Sequence, residues 1–83
     1  MKALLEIIAQ HLVTYPDAVE IRETKTDTMS VLELRVAPDD VGRVIGKHGV
    51  TIDAIRTILN AAAARARRRV TLEIVESTAA SPR

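Results

Sequence analysis

Val41-Gly42-Arg43-Val44-Ile45-Gly46-Lys47-His48-Gly49-Val50-Thr51-Ile52 is the stretch on which the reading of this 83-residue chain turns. Gly46 and Gly49 stand between two apolar runs of helical spacing. Upstream, Pro38-Asp39-Asp40 offers proline and acids where a helix start tolerates them. Val41, Val44 and Ile45 form the apolar side of a short helix, and Gly46 ends it as a residue free to take positive φ. After Gly49 a longer helix is predicted to about residue 65, with Ile52, Ile55, Leu59, Ala62 and Ala66 facing inward. The loop between the two must turn sharply, and each glycine removes a Cβ at the turn, so another chain can come close to the backbone. The second helix points its N-terminus at the loop, where free N–H groups and the positive end of the dipole favour a phosphate. Lys47 adds a full charge and His48 a donor, while Arg43 and Arg56 lie within one or two turns and can flank a bound strand. A plain helix–turn–helix corner also favours glycine, and Gly-x-x-Gly alone recurs by chance. The helical flanks, and the lack of an acid at either inner position, favour phosphate contact over a mere turn.

Outward from this stretch the pattern changes to strands. Leu32, Leu34 and Val36 alternate with Glu33 and Arg35, and Val19 and Ile21 alternate with Glu20 and Arg22. The polar run Thr24 to Ser30 between them holds a turn, without a glycine to fix its type. Val70, Leu72 and Ile74 alternate with Thr71 and Glu73 in a last strand. Residues 2–14 place Leu4, Ile7, Ile8, His11 and Leu12 on one helical face, ended by Pro16-Asp17. The order is helix, strand, strand, helix, helix, strand. Its simplest packing is an α+β domain of two layers, a three-stranded sheet with three helices on one face. The first two strands can pair as a hairpin, and the residues leave the third strand's place open. Residues 1–76 form one domain, and 77–83 read as a disordered tail of small residues.

Composition narrows the function. The chain is 47% hydrophobic, enough for a globular core, with Tyr15 its only aromatic residue and no Cys. No disulfide or thiolate chemistry is available, which fits the cytoplasm. No apolar run reaches the length of a membrane span. The N-terminus starts like a signal peptide, but Glu6, Gln10 and His11 interrupt it and no small-residue cleavage site follows. Two isolated His without Cys offer no metal site. No cofactor is called for, and no nucleophile–base or paired-carboxylate constellation points to an enzyme. The net charge of +1 hides an asymmetry: residues 1–40 carry −4 and residues 41–83 carry +5. That suggests an acidic back and a basic working side.

The run from Val41 to Ile52 resembles the signature of the KH domain, Ile-Gly-x-x-Gly followed three residues later by Ile. The element order is similar to the type II, bacterial arrangement, over about residues 1–76. Asp40 to Lys47 matches the Asp-Val-Gly-Arg-Val-Ile-Gly-Lys pattern of the small stand-alone KhpA-type proteins. The resemblance implies a mixed sheet and a loop, Gly46-Lys47-His48-Gly49, that clamps about four nucleotides of single-stranded RNA. It implies a groove lined by aliphatic residues, with Val44, Ile45, Ile52 and Val36 near it, though ordinary core is the simpler role for Ile45 and Ile52. It further implies self-association, pairing with a larger Jag-type KH protein, and RNA chaperoning or post-transcriptional regulation linked to cell-envelope growth.

Three features stand beside the loop. His48 can act as a pH-sensitive contact, binding tightening as imidazole gains a proton, or be a tolerant loop position. Arg65, Arg67, Arg68 and Arg69 either extend the RNA path or, the reading preferred here, satisfy the negative end of the long helix. Ala54, Ile58 and Ala61 share a helix face next to the core stripe, which suits a homodimer, a seat for a related KH partner, or a broader core. The rival to RNA binding is an adaptor that dimerises and recruits a larger KH protein. An adaptor has no need of Lys47 between two glycines.

Overall fold

Alternating side chains build the sheet in the computed structural model, which describes residues 1–76; the predicted tail, 77–83, lies outside the described residues. In β2 (Met29–Val36), Ser30, Leu32, Leu34 and Val36 are buried and alternate with Val31, Glu33 and Arg35, the period of a strand with one face on a core. β1 (Glu20–Lys25) pairs antiparallel with β2, setting Ile21 opposite Leu34. β3 (Arg69–Glu76) pairs in parallel with the other side of β2, Leu72 beside Leu32 and Ile74 beside Leu34. The order β1-β2-β3 is therefore a mixed sheet. The parallel pairing needs a long crossover, which α2 (Val41–Ile45) and α3 (Val50–Ala64) supply. With α1 (Lys2–Leu12) they cover one face. Leu5 and Ala9, Val44, and Ile52, Ile55, Leu59 and Ala63 cluster with Leu32, Leu34, Val36, Val70 and Leu72 in the core. The fold class is the predicted α+β, with three helices and a three-stranded sheet.

The hairpin between β1 and β2 closes without glycine. Thr26 N–H donates to the Met29 carbonyl at 2.8 Å, and Met29 N–H donates to Thr26 Oγ1 at 3.1 Å. A side-chain hydroxyl thus replaces one backbone partner at the turn.

Two helices are rotated from the predicted phase. In α1 the buried residues are Leu5 and Ala9, while Ile7 is 59% exposed and His11 lies outside. His11 Nδ1 lies 2.8 Å from the Ile7 carbonyl one turn back, so the ring is spent on its own helix instead of packing. In α3 the inward residue after Leu59 is Ala63; Ala62 is half-buried and Ala66 is exposed beyond the helix end.

The arginine cluster also departs from its expected role. α3 ends in a backbone cap: Arg67 takes φ 57°, its N–H donates to the Ala64 carbonyl at 3.0 Å, and Arg68 N–H donates to the Ala63 carbonyl at 3.0 Å. This is a Schellman closure, which leaves the helix carbonyls no need of guanidinium. The Arg68 side chain reaches the hairpin turn instead, donating to the carbonyls of Asp27, Thr26 and Met29 and to Ser30 Oγ at 2.9–3.1 Å. Arg69 N–H joins it, donating to the Thr28 carbonyl.

Candidate nucleic-acid interface

Gly46 closes α2, its N–H donating to the Gly42 carbonyl at 2.8 Å with φ 77° and ψ 167°. His48 (φ 58°, ψ 22°) and Gly49 (φ 76°, ψ 13°) follow in the left-handed region, and Gly49 N–H closes the turn on the Gly46 carbonyl at 3.0 Å. The two glycines have different reasons for lacking a side chain. A Cβ on Gly46 would lie 2.7 Å from Thr51 Cβ and 2.9 Å from Thr51 N, with the Thr51 hydroxyl closer still. Backbone cannot yield there, so the turn is built around that missing atom. A Cβ on Gly49 would meet nothing within 4 Å. Its surroundings are open, and the space lies at the start of α3.

That helix start has no side-chain cap, because its N-cap residue is Gly49. Its first turn keeps N–H groups without intrahelical partners, and the dipole of a fifteen-residue helix adds to their positive potential. Lys47 and His48 are exposed, and neither makes an ion pair or side-chain hydrogen bond among the described residues. The two arginines expected to flank a strand are partly engaged. Arg43 Nε lies 3.6 Å from Asp40 Oδ1, and Arg56 lies 3.6 Å from Asp53 Oδ1 and donates to the Leu72 carbonyl at 3.4 Å. Both pairs are loose, and about half or more of each arginine side chain remains exposed; the exposed Arg56–Asp53 pair costs little to exchange for a phosphate, whereas Arg43 faces a buried carboxylate.

The apolar residues divide. Val44 and Val36, expected near a groove, have no exposed surface, and Ile52 keeps 7%. These are core residues that hold α2 and α3 against the sheet. Ile45 is half-buried and keeps some surface beside Gly46. Ala54, Ile58 and Ala61 are exposed, Ile58 by 48%, which excludes the broader core stripe for them. Val50, 65% exposed, extends their face to the loop.

One residue has a role that sequence reading missed. Asp40 is fully buried and accepts Thr14 N–H at 2.9 Å and Tyr15 N–H at 3.0 Å. It pins the segment after α1 to the start of α2, and so fixes the angle at which α2 carries the loop. Burial pushes its carboxyl up, but the N–H groups of Thr14 and Tyr15, the Thr14 hydroxyl and the Arg43 guanidinium outweigh burial and hold it below the usual carboxylate range. Its partners lie 25 and 26 residues away, and nothing local to Asp40 in the sequence marks them.

Comparison with known proteins bears on this geometry. Residues 2–74 match the family model described as KhpA/KhpB, KH domain. A protein of Clostridium acetobutylicum named RNA-binding protein KhpA is 49% identical over 75 residues, 90% of this chain and all of the relative. The protein of that name in Caldanaerobacter subterraneus is 47% identical over 75 residues, with the same coverage. The one in Chlamydia pneumoniae is 46% identical over 76 residues, 92% of this chain and 97% of the relative. No solved structure matches the chain.

Proposed function

The chain belongs to the KhpA/KhpB KH-domain family, and from that premise we propose that it binds single-stranded RNA on the loop Gly46-Lys47-His48-Gly49. The sugar–phosphate backbone of about four nucleotides lies against the loop. Its phosphates meet the bare start of α3, with Lys47 and His48 supplying charge and donors and Arg43 and Arg56 in support. The observation that carries this reading is the exposed Lys47 and His48, neither with a side-chain partner among the described residues, set between two glycines at an uncapped helix start. Few phosphates fit one such loop, so binding by a single copy is weak and its salt dependence shallow, roughly 0.7 log units per phosphate.

The exposed face Ala54, Ile58 and Ala61 pairs with a second copy, or with the larger Jag-type KH protein that the family resemblance implies. Avidity from a dimer offsets the weakness of each loop. The setting, also from the resemblance, is cytoplasmic RNA chaperoning or post-transcriptional regulation linked to cell-envelope growth. A second reading, an adaptor for which RNA is secondary, draws on the same exposed Ile58 and Val50. The double variant Lys47→Asp, His48→Asp separates the two. Under RNA binding it loses affinity for a single-stranded oligoribonucleotide by about a hundredfold or more while circular dichroism and sedimentation stay unchanged; unchanged affinity defeats the loop as the site.

A further inference from the structure

Arg65, Arg67 and Arg69 are exposed, and their side chains have no hydrogen-bond or ion-pair partner among the described residues. Arg68 alone of the cluster is engaged, on the hairpin turn. Three free guanidiniums at one corner are a polyanion contact without an assigned use. Within one chain they do not lie beside the loop. α3 has fifteen residues, so at 1.5 Å per residue the loop and the cluster stand roughly 22 Å apart, at opposite ends of the helix.

The exposed stripe of α3 changes that distance. Val50, Ala54, Ile58 and Ala61 run the length of the helix, from the loop toward the cluster. Its charges are also ordered, Asp53 near the start and Arg65 just past the end. Two such helices packed in parallel set Asp53 beside Asp53 and Arg65 beside Arg65. Packed antiparallel, they set each Asp53 toward the partner's Arg65, and their dipoles oppose favourably. The register that seats the large Ile58 on the partner's small Ala61 also places Ala54 on the partner's Arg65 and brings the end of the partner's helix toward Val50 and the loop. Small side chains permit the interaxial distance of about 8–10 Å at which helices interlock.

We infer that the RNA site is shared between two copies: the glycine loop of one protomer and Arg67 and Arg69 of the other hold one strand, Arg65 being engaged across the helix pair. This rests on the proposed pairing through Ile58. In such a dimer each strand leaving a loop runs directly onto the partner's guanidiniums, and the two-fold axis makes the two bound strands antiparallel. The loop sets where the backbone turns in, and the cluster adds charge contacts along its flank.

Complementation tests the inference. One variant carries Lys47→Asp and His48→Asp; the other carries Arg67→Gln and Arg69→Gln. As homodimers, the first is expected to lose binding and the second to bind a twelve-nucleotide single strand about tenfold or more weaker, with a salt slope shallower by about 1.4 units for two lost phosphate contacts. Coexpressed with different tags and purified as the mixed dimer, they restore one intact site: half the wild-type stoichiometry at wild-type affinity and salt slope. Adding Ile58→Glu to both removes the restoration. Mixed dimers that form but bind no better than the arginine variant overturn the shared site while leaving the loop and the dimer standing. A wild-type protein that sediments as a monomer overturns the pairing itself, and the shared site with it.

Discussion

At the start of α3 the left-handed backbone positions are held by His48 and Gly49; at its end the left-handed position is held by Arg67, at φ 57°. Gly49 and Arg67 have nearly mirrored duties, one as the N-cap and one closing the C-terminus, and neither has a crowded Cβ direction: Gly49 would meet nothing within 4 Å, and Arg67 is exposed. The fold thus accepts a side chain in this conformation at His48 and at Arg67, and has none at Gly49. All three glycines of the chain, Gly42, Gly46 and Gly49, lie in α2 and the loop. Of these, packing demands only Gly46. In the proposed site the bare backbone at Gly49 lets a strand come close to the loop, whereas at Arg67 a charged side chain, not bare backbone, would meet it.

The largest effect expected from breaking this contrast is at Gly46. Gly46→Ala adds positive-φ strain of roughly 1–3 kcal/mol to a clash with Thr51 backbone of similar size, about 3 kcal/mol in all. In a domain this small the melting temperature falls by more than about 10 °C. A loss under about 1 kcal/mol by chemical denaturation removes Thr51 from the account of the loop.

Next is Asp40, which aims α2. Asp40→Ala leaves the Thr14 and Tyr15 N–H groups unpaired in a partly buried place, at about 2–3 kcal/mol. The same carboxylate gives the wild type an acid limit. Its folded value is depressed, so its stabilisation is complete above the unfolded value, about 3.9, and is lost as pH falls below about 4 through the folded value. Denaturation at pH 7 and pH 3 should show a smaller gap for Asp40→Ala than for the wild type. Equal gaps would assign the acid limit to other carboxylates.

Smallest and most instructive is the exchange of roles. Gly49→Ala should cost about 1 kcal/mol and, measured where the variant is fully folded, still weaken RNA binding. Arg67→Gly should gain about 0.5–1 kcal/mol, since glycine is the usual residue in that cap. If Gly49→Ala binds RNA like the wild type, the open space at Gly49 has no function in binding.

What the sequence made legible follows the same physics. Gly46 between two apolar helical runs announced its turn, and the alternation in β2 announced the sheet face. The phase of α1 was hidden because Leu4, Leu5, Ile7 and Ile8 spread apolar side chains over nearly half its circumference. The phase at the end of α3 was hidden in the run Ala61 to Ala64, where identical side chains carry no contrast. Arg68 was misread as a helix cap because its partners, Thr26 to Ser30, lie about forty positions away, and Asp40 was read only as a helix-start acid for the same reason. Contacts made across the fold leave no local periodicity to find.

The central claim is a phosphate backbone seated on the glycine loop, and backbone-amide NMR during titration with a short single-stranded oligoribonucleotide tests it most directly. Progressive, saturable shifts concentrated between residues 43 and 56, and absent in the Lys47→Asp, His48→Asp variant, are the predicted result. Binding detected in solution with those resonances unmoved would contradict it.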